Sequence, residues 1–432
     1  MQNKRKITVI ALAIALVVLG GGLFLAKKNI DDREQQIAQG FKKLEKILPP
    51  NFKQENILVK GLFSSAGIYK INYTEKGKTD SLVVDYKLEH GLTAWFGGDI
   101  KFHSTVKLLG ESFKEIKIAD QKWMVIDGGI QRDGSFNMKG IGAQAVVISQ
   151  PKGKELSKLI IEPSNFVMLY NKPSGDVKAE LVYPTITISG KESTNIKNVK
   201  LSTNFNVTQP HLGDLNLKIE QVKDKEIDII GVDIYGKAEL VKDKLDILTS
   251  LKVANISILQ LAQKDVKLEL TYSLKGIDKI ALQLYKEMYE QDLKQKEFTS
   301  EMKEKFVNGM KQVLKTGMVL SLDKLSVKND KGFVDFSGAI EMKPSATIQD
   351  ISFEKKTKLK FDLIINGEFA KMLKAMAPPD QSEMLTFDDK KNIKMSLVFD
   401  NGVFKLNGKV FSQEYNDQIN TALKGLDAQL KK

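Results

Sequence analysis

The chain has 432 residues, a formal net charge of +12 and no cysteine. That length suffices for two or three domains or one long β-rich body, and the missing thiols exclude disulfide frameworks, cysteine nucleophiles, thiolate zinc centres and iron–sulfur clusters. Three histidines, His90, His103 and His211, are too few for a histidine-rich metal centre, and hydrophobic and charged contents of 42% and 28% are those of a folded protein.

Residues 1–6 carry Lys4, Arg5 and Lys6, and Ile7 to Ala26 is an uncharged, mostly apolar run. At about 1.5 Å per residue such a helix spans roughly 30 Å, one bilayer core. The leading cations are expected to stay in the cytoplasm, which places everything beyond residue 26 outside it. An uncleaved anchor is preferred to a signal peptide, whose apolar region is shorter and ends in small residues. Residues 27–50 form a juxtamembrane amphipathic helix in which Ile30, Ile37, Phe41, Leu44 and Leu48 share a side. Pro49-Pro50 ends it. Packing on the chain's own body is the default for that stripe, and a homodimeric coiled-coil neck is the alternative.

The body, 51–432, changes to period two. Leu82, Val84, Tyr86 and Leu88 alternate with polar neighbours, as do Leu215, Leu217 and Ile219, then Leu268 to Leu274 and Leu359 to Ile365. Turn signals separate these runs, among them Glu75-Lys76-Gly77-Lys78, Gln131-Arg132-Asp133-Gly134 and Asn329-Asp330-Lys331-Gly332. Asp400-Asn401-Gly402 is the sharpest, because Asn-Gly supplies the positive φ angles of a tight hairpin. Strands are expected over 55–278 and 319–411, a long helix with a Met-aromatic stripe over 282–318, a short helix over 369–376 and a last helix over 413–430. The fold class is therefore α+β and β-dominated: a long curved antiparallel sheet or meander with a few amphipathic helices, preceded by a single N-terminal transmembrane helix.

Catalytic signatures are sparse. Gly140-Ile141-Gly142-Ala143-Gln144-Ala145 has the letters of a dinucleotide turn but runs into a strand-like segment instead of a helix. Glu89-His90 with His103 can be drawn as an acid–base pair, although strand-end structural histidines are the commoner case. His211 follows Pro210 in an expected turn, and Asp388-Asp389 reads as a solvated loop. No catalytic residue, metal site or cofactor is assigned. The excess of 66 Lys+Arg over 54 Asp+Glu is scattered, giving a cationic surface suited to anionic partners and no nucleic-acid groove.

Four short motifs follow the anchor: Gly61-Leu62-Phe63-Ser64-Ser65, Glu89-His90-Gly91, Asn401-Gly402 and Leu406-Asn407-Gly408. In this order they resemble the bacterial YdgA-like family, membrane-anchored envelope proteins with a domain of unknown function. The resemblance implies an inner-membrane protein of a Gram-negative envelope with a periplasmic β-rich body, and carries no catalytic residues. Each motif also has a structural reading: Gly61 and Gly91 for backbone turns, Phe63 for the core, Ser64 and Ser65 for local hydrogen bonds. A serine nucleophile is set aside because no base stands beside either serine in the sequence. The expected function is a non-enzymatic scaffold or binding protein for a lipid or membrane-protein partner. A hydrolase of an envelope polymer, with carboxylates assembled by the fold, is the alternative.

Overall fold

The computed structural model describes residues 52–61, 64–75, 78–90, 98–110, 116–118, 122–131, 133–149, 157–190, 193–258, 263–278, 300–376, 387–388 and 391–430. The expected anchor 7–26, the helix 27–50, Leu62, Phe63, Gly91 and the first part of the 282–318 helix lie outside these residues. Among the described residues no helix is long and apolar enough to cross a membrane. Two compact units divide at Lys225 and Glu226.

The first unit contains β1 (Phe52–Val59), β2 (Ser64–Glu75), β3 (Lys78–Glu89), β4 (Ile100–Gly110), β5 (Ile116–Ile118), β6 (Lys122–Ile130) and β7 (Phe136–Gly142). It continues with β8 (Ala145–Ser149), β9 (Ser157–Ile161), β10 (Asn165–Asn171), β11 (Asp176–Ser189), β12 (Thr194–Asn206) and β13 (Gln209–Lys223). Every pairing is antiparallel, in the spatial order β1-β2-β3-β4-β6-β7-β10-β11-β12-β13. A second line, β5-β8-β9, joins the far half of β11. Thus β9 and β10 lie end to end against one long strand, parted by Glu162-Pro163-Ser164 because proline cannot donate to the ladder. The break crosses neighbouring strands: Ala143-Gln144 interrupts β7 and β8, and Pro184 of β11 falls opposite Asn198, which takes φ 52°. The Gly140–Ala145 stretch therefore joins two strands and opens no helix, as its surroundings predicted. Pro210 and His211 stand at the start of β13 and not in its turn.

Side-chain alternation decides what this sheet buries. Along β4, Ile100, Phe102, Ser104, Val106 and Leu108 are buried while Lys101 and His103 are exposed. The same face of β2, β3, β6, β7, β10 and β11 adds Tyr69, Leu88, Met124, Phe136, Met168 and Val177 to one hydrophobic core. A close approach between strands depends on Gly67, which pairs with Tyr86. A Cβ there would stand 2.3 Å from the Tyr86 ring and 2.8 Å from the carbonyl of Ile57, so the ring covers backbone that any side chain would push away.

The second unit is a meander in chain order: β14 (Ile227–Val241), β15 (Lys244–Ile258), β16 (Gln263–Asp278), α1 (Ser300–Thr316), β17 (Met318–Asn329), β18 (Gly332–Met342) and α2 (Phe353–Lys356). It ends with β19 (Thr357–Ile365), α3 (Gly367–Met376), β20 (Ile393–Asp400), β21 (Val403–Leu406), β22 (Lys409–Val410) and α4 (Gln413–Leu430). Each strand pairs antiparallel with the next. The helix expected to reach residue 318 stops at Thr316. Gly317 at φ 78° turns the chain out, and Lys244 Nζ donates to the Thr316 carbonyl, which the helix leaves open (2.9 Å). The last helix has the expected bounds. It docks through polar groups: Asn416 Oδ1 accepts from the Phe404 amide (2.8 Å), and Asp427 Oδ1 accepts from the Phe353 amide at the start of α2 (2.8 Å).

On the polar face of this sheet Glu269 sits between Lys324 (2.6 Å) and Lys252 (3.2 Å). The hydrogen bond from Lys324 comes first among the effects that hold its carboxyl below the usual value of 4.5. A carboxylate with a lowered folded pKa contributes stability above its unfolded pKa and loses it as pH falls through the folded one. Glu269→Gln is therefore expected to shallow the acid limb of the unfolding curve below about pH 4.5 and to cost at most about 1 kcal/mol at pH 7. Urea titrations at pH 3, 4 and 7 check this, and an unchanged acid limb would refute it.

Candidate functional site

Two of the four motifs meet in space. Ser64 pairs with Glu89 across β2 and β3, which puts Ser65 and His90 on the inward face. Ser65 Oγ lies 3.1 Å from His90 Nε2, and both residues are only 1% exposed. Gly61 has a steric reason for lacking a side chain, since a Cβ there would stand 2.4 Å from the Ser64 carbonyl oxygen. A base does stand beside Ser65, contrary to the premise on which a serine nucleophile was set aside. Burial limits what the pair can do, because a carbonyl substrate must reach Oγ along an open path. The neighbouring carboxylate, Glu89, points to the opposite face, where Lys87 donates to it at 2.7 Å and holds its pKa down. The pair acts as a pin between the start of β2 and the residue that follows β3. Ser65→Ala is expected to destabilise the first unit by about 1–3 kcal/mol, the cost of depriving a buried polar atom of a bond. The emission of Trp123, buried in the same core, reports it in urea, and a change below about 0.5 kcal/mol would exclude the pin.

Of Glu89-His90 with His103, drawn as an acid–base pair, only Glu89 and His103 share a face, and His90 is turned inward away from both. His103 has the opposite parity and faces outward, bonded through Nδ1 to Asp127 at 2.5 Å on an exposed surface. The remaining motifs shape turns in the second unit. Asn401 and Gly402 take φ 50° and 77°, and Asn407 and Gly408 take 50° and 81°, the positive pairs of two-residue hairpins. The Gly402 carbonyl accepts from Asn420 Nδ2 of α4 (2.9 Å), and Asn407 Oδ1 accepts from the Ser396 amide (2.7 Å).

The second candidate site has no motif behind it. Register aligns the apolar positions of the second unit's strands into continuous rungs, such as Ile234, Leu251, Leu270, Leu325, Phe336 and Leu363. The reverse side carries Asp233, Lys252, Glu269, Ser326 and Asp335 on the matching rung. The apolar side is closed at one corner, where Phe369, Ala370 and Leu373 of α3 pack on Ile365 and Ile393. Elsewhere on this side exposure is mixed: Ile234, Tyr272, Leu320 and Ile340 are between 37% and 42% exposed, whereas Leu245, Val253 and Met342 are buried. Those five strands, β14 to β18, span four interstrand steps, about 19 Å.

Among the described residues the shifted carboxylates all move downward, Asp362 first through a hydrogen bond from Ser396 and Glu368 first through one from Lys371. Among the described residues the one large shift is in Tyr183, pushed up to about 12 by burial. No group of three or more potential metal-ligating side chains occurs among the described residues.

The chain belongs to the family described as bacterial protein of unknown function (DUF945), whose sequence model matches residues 3–414. No curated protein and no solved structure matches it.

Proposed function

We propose that this DUF945 member is an envelope protein of the YdgA-like kind, anchored in the inner membrane by residues 7–26 with its body in the periplasm. In this reading the body holds the acyl chains of a lipid on the apolar face of the second unit's strands and transforms no substrate. The partly exposed apolar positions Ile234, Tyr272, Leu320 and Ile340 of β14 to β18 carry the reading. Contiguous exposed apolar area of this kind marks an interaction surface. In-sheet pairing satisfies the backbone polar groups over most of the face, the bulges of β15 and β17 apart, so hydrocarbon can cover it at little cost in unpaired donors. Its length of about 19 Å exceeds the roughly 15 Å of one bilayer leaflet's hydrocarbon, so a single chain fits across the strands. A membrane protein seated on the same rungs is the rival occupant.

Photo-crosslinking with the full-length chain in its membrane separates the two. A benzophenone amino acid at Ile234, Tyr272 or Leu320 is expected to capture phospholipid, and the same probe at Lys252 or Ser326 on the charged side is expected to capture none. Protein adducts without lipid at the three apolar positions would replace the lipid reading by a scaffold. Lipid adducts equal on both sides would overturn it as nonspecific.

A further inference from the structure

We draw no further inference here: the strongest candidate, the exposed aliphatic strip of Ile57, Val59 and Ile68 on the outer face of β1 and β2, carries nothing because nothing in the structure shows what covers it.

Discussion

Phe136→Ala is expected to destabilise the first unit by about 3–5 kcal/mol, a large part of the stability of an ordinary domain. Phe136 is 2% exposed and sits at the end of the inner face, its ring 5.1 Å from that of Tyr170 on the paired strand. Its rung continues through Val177, fully buried, to Phe205. Truncation removes an aromatic side chain whose neighbours are held by ladder hydrogen bonds on both sides, so the space cannot collapse and the cavity cost adds to the transfer cost. The contrast lies on the same face four strands further out. Leu215 of β13 is 51% exposed, and Leu215→Ala is expected to cost less than about 1 kcal/mol, since half of its surface is already in water. Urea unfolding followed by tryptophan emission compares the two variants. Equal losses would mean that the buried core extends to β13, against the burial pattern.

How far this organisation could be read from the chain alone depends on the range of the signal. Local signals transferred well. Alternation in Leu82-Val84-Tyr86-Leu88 marks β3 and its buried side, Asn401-Gly402 forms the tight turn, and the last helix has the bounds its apolar stripe predicts. Lys242 and Asp243 form an equally tight hairpin, at φ 50° and 62°, without a glycine to announce it. The sheet itself imposes the positive angles there, at a cost that the β14–β15 ladder repays. Pairwise relations were hidden for a different reason. Ser65 and His90 are 25 residues apart and meet only because Ser64 aligns with Glu89; a slip of one residue would turn one of them to the other face. Likewise each strand shows its apolar parity, but nothing local states that Ile234, Leu270 and Phe336 fall on one rung. The apolar face is a property of register, which side-chain packing across whole strands sets, so a reading along the chain expects such a face on an amphipathic sheet without naming the residues on its rungs.

The same register supplies the sharpest test of where the apolar face of the second unit is open. Gly236 and Gly338 lie on one rung, joined through Thr249, Tyr272 and Leu322, with Phe361 next beyond Gly338. At Gly338 an added Cβ would stand 2.0 Å from Phe361 Cδ1 and 2.5 Å from the Lys360 carbonyl oxygen. The ring, stacked on Phe336 at 5.4 Å, has a neighbour in its way, and the carbonyl is part of the ladder. Gly338→Val must therefore part β18 from β19, at an expected cost of about 3 kcal/mol or more. At Gly236 an added Cβ meets nothing within 4 Å. Gly236→Val replaces a residue that weakens strands by one that favours them, so it is expected to be neutral or to stabilise by about 0.5–1 kcal/mol. It also extends the aliphatic rung beside Ile234, and lipid capture at Ile234 is expected to persist in this variant. Thermal and urea unfolding of both valine variants decide the matter. If Gly236→Val destabilises as much as Gly338→Val, something covers the β14 end of the rung, and the acyl-chain reading loses the open surface on which it rests.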